Sequence, residues 1–304
     1  MTLSLIIPTH RRADILKECL SRIARQTIGD QLEVIVVSDG QDEETVKLFE
    51  DTRSKTQDTK FLEIPPCHQG VARNRGVQAA TADLCLFIGD DIFLEPDACE
   101  KHLRCHGERC RTMATKSPFD RAQGDIRTQS TIAVLGHTTW DPALEITKVM
   151  LWLERSGWQF GYPMIERYAH RFLPSTIQRR FTYTSHLSLP TAIAKQFPFR
   201  EDVSLYGWED IEWGLRLAKA GIRLFYEPDA KTLHHHPMTL KDSLKRMETL
   251  GRSAVEIEKL VSELNVVPKG WKRIAYALAS KLPTMRGKHA RAFLRGTERP
   301  LELV

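Results

Sequence analysis

Three stretches of this 304-residue sequence set carboxylates beyond an apolar run or at the start of a helical period. They are VIVVSDG from Val34 to Gly40, LCLFIGDDI from Leu84 to Ile92, and YGWEDIEWGLRLAKAG from Tyr206 to Gly221. One such acid can accept the imide proton of a nucleobase, a second can hold a hard divalent cation, and a third can take a proton from a hydroxyl. Together they imply transfer of a sugar from a nucleotide-linked donor. Departure of a nucleoside diphosphate builds negative charge, and an oxygen-liganded cation at the Asp90 and Asp91 pair offsets it without proton transfer. TLHHHP adds imidazoles: on an extended segment His234 and His236 share a face and His235 points the other way, and imidazole nitrogen binds Mn²⁺. Each motif also has a local reading. Asp39 can cap the helix starting near Asp42, GDD can be a plain turn, the histidines can lie at the surface, and acids at a helix start are favoured by its dipole.

These groups need a scaffold, and hydrophobic periodicity supplies one. Strand-length apolar runs at 3–8, 32–38, 60–64 and 84–88 alternate with helical periods at 13–26, 43–55 and 70–80. The runs at 32–38 and 84–88 are apolar almost throughout, which suits a parallel sheet covered on both faces. In such sheets ligands bind beyond the carboxyl ends of the strands, where Asp39 and the Asp90–Asp91 pair stand. Glu209 and Asp210 open a further helix, with Ile211, Leu215, Leu217 and Ala218 as its apolar face and Gly221 as its stop.

PTHRR at Pro8, VVSDG, the loop HQGVARNRG from His68, FIGDDI and GWEDIEWGLRLAKAG follow one another in an order and spacing that resembles the motif series of inverting family 2 glycosyltransferases. The resemblance implies an α/β fold of GT-A type: a mostly parallel central sheet flanked by helices, with a Rossmann-like nucleotide-binding half at about 1–130 and an acceptor-binding half at 131–238. It assigns Pro8, Thr9 and Asp39 to the nucleotide, Arg73 and Asn74 to enclosing its base, Asp90 to the ribose, and Asp91 with His234, then His236, to Mn²⁺ or Mg²⁺. It makes Asp210 the general base and Glu209 the residue that positions the acceptor. Tyr206, Trp208 and Trp140 are expected on the acceptor side, where aromatic faces stack on sugars. The implied donor is a nucleotide-sugar, UDP-linked by preference, with thymidine and guanosine open. The implied acceptor is a glycan or a lipid-linked molecule in cell-surface polysaccharide or glycoconjugate synthesis. Many relatives carry an acid where this chain has Gly89, which thins the expected metal shell.

Composition agrees with a folded enzyme, with 41% hydrophobic and 27% charged residues. MTLSLIIPTHRR has too short an apolar run for a signal peptide, and no run approaches the roughly 18 residues of a membrane span, so a cytoplasmic, soluble or peripheral protein is expected. The six cysteines show no pairing framework. CEKHLRCHGERC, from Cys99 to Cys110, can be read as a zinc cluster or as a packed helix, and 111–130 as a polar excursion. FTYTSHLSLP, from Phe181, alternates like an edge strand beside the donor. Residues 239–304 form a basic amphipathic helical extension in which, from Pro268 to Pro300, nine lysines and arginines stand against the single acid Glu298. That segment suits an anionic membrane surface or a helical appendage packed on the catalytic domain, and no nucleic-acid module accompanies it. Two rivals stay in view. A sugar nucleotidyltransferase would open with a glycine-rich phosphate loop, which IIPTHRRADI lacks, and a noncatalytic nucleotide-sugar-binding protein would dock through the basic tail.

Overall fold

The N-terminal apolar runs form β1 (Leu3–Thr9), β2 (Leu32–Asp39), β3 (Thr59–Ile64) and β4 (Leu84–Ile88) in a computed structural model that describes residues 1–52, 59–114, 131–202 and 207–298. The helices between them are α1 (Ala13–Ile23), α2 (Glu43–Thr52) and α3 (Gln69–Ala79). The first helix stops short of the expected 26. Gln26 instead turns its side chain onto the Glu95 carbonyl (2.8 Å) and the Cys99 amide (3.1 Å). Beyond β4 the chain forms β5 (Ile92–Leu94), α4 (Ala98–Ala114), β6 (Ile132–Trp140), α5 (Lys148–Ser156), α6 (Tyr162–Ile165), β7 (Arg171–Phe172), α7 (Ser175–Gln178), β8 (His186–Pro190), α8 (Thr191–Gln196), α9 (Glu209–Lys219) and β9 (Arg223–His234).

Among the described residues these strands make one sheet in the order β3-β2-β1-β4-β8-β6-β9-β5, with β7 also on β9. Strands β1 to β4, β6 and β9 run one way and β5, β7 and β8 run against them. Period-two alternation builds two cores. Ile6, Ile35, Val37 and Phe87 face α3, α8 and α9, and Leu5, Ile7, Val34, Val36 and Leu86 face α1 and α4. Trp213 of α9 is fully buried on the first face, against Phe87 and Phe199.

The alternation of HLSLP does not mark an edge. Strand β8 lies inside the sheet between β4 and β6, and its polar face is covered by α4. His102 Nδ1 and His106 Nε2 both meet Ser188 Oγ, at 2.8 and 2.9 Å, and His102 Nε2 lies 3.0 Å from His186 Nε2. Burial holds His106 down at about 4 and His186 at about 3, so this layer is neutral. Cys105 turns instead to Glu227 (3.1 Å) and Cys99 packs in the core. Among the described residues the cysteines and histidines of α4 therefore do not converge as zinc ligands, and the side chain of Cys110 lies outside them. Most of the expected excursion at 111–130 also lies outside.

The extension contributes α10 (Leu240–Leu260), α11 (Gly270–Ser280) and α12 (Met285–Thr297). Thr239 and Asp242 close a capping box at the start of α10. Helices α10 and α12 cross closely around Gly251 and Gly296, joined by Met247, Leu250, Ala254, Ala292 and Phe293. No described helix is long and apolar enough to cross a membrane.

Candidate active site

The β5–β9 pairing sets His234 opposite Ile92, immediately beyond Asp91. The Asp91 carbonyl accepts the His235 amide (2.8 Å), which locks the two segments together. His235 points away, onto Asp141 Oδ2 (2.7 Å) and the ring of Phe93, while His234 Nε2 and His236 Nδ1 lie 3.7 and 3.3 Å from Asp91 Oδ2. The ligand atoms of Asp91, His234 and His236 all lie within 4.8 Å of one another, and one carboxylate with two imidazoles suits Mn²⁺. Trp140 stacks on His234 (5.1 Å between centroids) and donates its indole N–H to Met150 O, so it backs the histidine from behind.

Arg12 straddles the two aspartates. Its Nε donates to Asp90 (3.1 Å), one terminal nitrogen to Asp91 (2.9 Å) and the other to Asp90. Thr9 Oγ1 also donates to Asp90 (2.8 Å), which is fully buried. Burial, with the charge of Asp91, pushes Asp90 up to about 6 against the pull of Arg12 and Thr9. Burial acts the same way on Asp91, but the contacts with His234 and His236 and the charge of Arg12 outweigh it and hold that carboxyl well below the usual range.

At the end of β2, Gly40 turns with φ +88°, and Asp39 Oδ1 accepts the Cys67 amide at 2.6 Å. The same carboxylate faces the Cys67 thiol, which burial and then the charge and hydrogen bond of Asp39 push up to about 11. Asp42, not Asp39, accepts the hydroxyl of Thr45 (2.5 Å) at the start of α2. Arg73 and Asn74 lie buried on α3. Asn74 spends its amide on Phe199 N, Phe199 O and Glu201, pinning that loop, whereas Arg73 Nε and one terminal nitrogen have no hydrogen-bond partner among the described residues.

Across the cleft, α9 opens with the acid pair. Gly207, at φ +91°, donates its amide to Glu209 Oε2 (2.7 Å), and Gln69 reaches the other oxygen. Both Asp210 oxygens are taken by Thr184, from its amide at 3.1 Å and its hydroxyl at 2.8 Å. Arg73 stands 3.7 Å from Glu209 and 3.9 Å from Asp210. Burial, then repulsion by Asp210, pushes Glu209 up to about 7 against the attraction of Arg73. Trp208 donates its indole N–H to Leu250 O (2.9 Å) and so ties the acid pair to α10.

A single cleft of about 490 Å³ brings together Pro8, Arg73, Asp90, Asp91, Trp208, Glu209, Asp210, His234 and His236. Thr9 sits behind Asp90, Asn74 behind Arg73 and Trp140 behind His234. Asp39 stands beside Cys67 on the strand rim, and Tyr206 lies outside the described residues. Arg12, Gln69, Arg180, Thr184 and Arg246 also line the cleft, and sequence reasoning gave them no role. Arg12, Gln69 and Thr184 stood in quoted stretches, PTHRR, HQGVARNRG and FTYTSHLSLP, whereas Arg180 and Arg246 carried no signal.

The sequence model described as Glycosyl transferase family 2 matches residues 4–146, which hold β1 to β6 with Asp39, Asp90 and Asp91. Over those residues, just under half of the chain, the sequence is similar to glycosyl transferase family 2. A PGL/p-HBAD biosynthesis glycosyltransferase of Mycobacterium tuberculosis is 32% identical over 150 residues, 48% of this chain and 53% of that protein. The chain thus spans about half the length of that relative. Staphylococcus aureus TarS 1–349, solved with UDP, superimposes with a TM-score of 0.54 at 15% identity, covering 84% of this chain and 66% of that one. The mannosyltransferase PcManGT of Pyrobaculum calidifontis, solved with GDP-Man and Mn²⁺, gives 0.56 at 16% identity, covering 97% of this chain and 74% of that one. These likenesses establish the GT-A-like fold, with its mixed, mostly parallel sheet and C-terminal helices.

Proposed function

We propose that the protein is a metal-assisted, inverting glycosyltransferase. It moves a sugar from a nucleotide-sugar, UDP-linked by preference, to a glycan or lipid-linked acceptor in cell-surface polysaccharide or glycoconjugate synthesis. One observation carries the reading: the cation-binding set Asp91, His234 and His236 and the acid pair Glu209 and Asp210 line the same cleft. A divalent cation on that set, when bound, offsets the charge that builds on the departing diphosphate.

The chain's own residues do the rest. Asp39 offers its carboxylate to the N3 proton of uracil, and Arg73 directs its unspent N–H groups at the bound donor. Asp210, oriented by two bonds from Thr184, takes the proton of the acceptor hydroxyl as that oxygen attacks the anomeric carbon opposite the leaving group. Glu209, protonated for part of the time near neutral pH, donates a hydrogen bond that holds the acceptor. Arg180 and Arg246 line the cleft without an acidic partner among the described residues, which supports an acceptor bearing phosphate. A noncatalytic binding protein has no use for an acid pair held in this way.

The test is transfer of label from UDP-, GDP- and dTDP-sugars to extracted membrane lipids and glycans in the presence of Mn²⁺. One donor is expected to label a product with inverted anomeric configuration. Retention of configuration, or no labelled product with any donor, contradicts the proposal.

A further inference from the structure

The basic extension divides into two helices with different surroundings. Helix α12 packs into α10, burying His289, Ala290, Ala292 and Phe293, and so serves as an appendage of the catalytic domain. Helix α11 has no buried residue. Trp271, Ile274 and Leu278 stand 74%, 63% and 60% exposed, and Leu282, just past the helix, 53%. Spacings of three and four residues place them on one stripe, since a helix turns every 3.6 residues. Tyr276 fixes which way the stripe faces by packing back on Phe293 (6.0 Å between centroids).

We infer that this stripe is a docking surface for an anionic lipid bilayer. Charge selects that occupant. Lys272 and Lys281 lie on the same segment as the stripe and Arg286 follows it, Lys269 at its start is paired with Glu258 (2.8 Å), and Glu298 is the sole acid from Pro268 to Pro300. A tryptophan with branched aliphatics on one side and lysines at the borders is the pattern of a helix lying in the headgroup plane, where the apolar face enters the acyl boundary and the cations meet lipid phosphates. A protein partner reading the apolar stripe alone would leave those cations unmatched. A further groove between α10 and α12, where Lys245, Lys288 and Arg291 stand beside Arg252 and Arg295 paired with Glu248, adds to the positive field of the extension. Docking has a consequence for the cleft, because α11 rests on α12, α12 on α10, and α10 lends Arg246 and Leu250 to the cleft wall. The acceptor side is thereby linked by rigid helices to the lipid interface. That consequence rests on the transferase reading, whereas the docking does not.

The test is co-sedimentation of the full chain with phosphatidylcholine vesicles, with and without about one-third phosphatidylglycerol. The anionic vesicles are expected to retain the protein and the neutral ones to release it. The triple variant Trp271→Ser, Ile274→Ser, Leu278→Ser alters only exposed side chains and is expected to lose about tenfold or more in partitioning, with its melting temperature unchanged. Brominated lipid should quench wild-type tryptophan emission, and Trp271→Phe should remove most of that quenching. Wild-type protein left in the supernatant with anionic vesicles overturns the inference, as does wild-type partitioning by the triple variant. So does a wild-type dimer that the triple variant dissolves without any vesicle binding, because the stripe would then join two copies. UDP titration of the same samples separates these outcomes from failure of the donor reading.

Discussion

Asp210 and Glu209 are adjacent in sequence but differ in surroundings. Asp210 is held by Thr184, and Asp210→Asn keeps those contacts nearly isosteric while removing the proposed proton acceptor. It should lower transfer by roughly 10²–10⁴-fold and leave nucleotide affinity unchanged. Transfer at the parent rate shows that another group takes the proton. Glu209 is testable through stability. Between the ordinary glutamate range and about 7, the folded state keeps a proton that the unfolded chain has released, so the contribution of Glu209 falls as pH rises through that window. Glu209→Gln should therefore raise the melting temperature by about 2–4 °C at pH 8 and give no gain at pH 4.5. An equal shift at both values means that the carboxyl ionises normally. The acids and histidines of this site were legible because each stood in a motif. Gln69 and Thr184 lay in quoted stretches but were not singled out, and Arg246 was not legible, because a neutral donor or an arginine on a long helix looks like any surface residue until the fold turns it inward.

Among the elements, the parallel strands were plain from their apolar runs, and the alternation of His234 and His236 against His235 followed from the two-residue period of a strand. Strand β8 misled for the same reason. A polar-apolar alternation tells which residues share a face but not whether water or a helix bearing His102 and His106 covers it. The helical extension was legible as basic and amphipathic. Which of its helices packs and which is exposed depended on tertiary contacts such as Gly251 against Phe293. A Cβ at Gly251 would come within 2.1 Å of the Phe293 carbonyl oxygen, a backbone atom that cannot swing aside. Gly251→Ala should thus force α10 and α12 apart and cost about 1–3 kcal/mol. Urea denaturation reads it as a lower midpoint, and an unchanged midpoint contradicts the close crossing.

In the whole molecule, one sheet carries Asp39 on the end of β2 and Asp90 and Asp91 just beyond β4, and returns through β8, β6 and β9 to bring the histidines and α9 to the cleft of Asp90 and Asp91. Function is thereby placed across long sequence distances, with Arg12, Asp91, Asp210 and His236 meeting only in the fold. The central claim is that Asp91, His234 and His236 couple a cation to a nucleotide in that cleft. The direct measurement is calorimetric titration of wild-type protein and Asp91→Ala with UDP, GDP and dTDP, each with and without Mn²⁺. The account predicts that wild-type protein binds one nucleotide, UDP by preference, at least about tenfold more tightly with Mn²⁺, and that Asp91→Ala loses the metal dependence. Nucleotide binding that is indifferent to Mn²⁺ in the wild type, or equal metal dependence in Asp91→Ala, contradicts it.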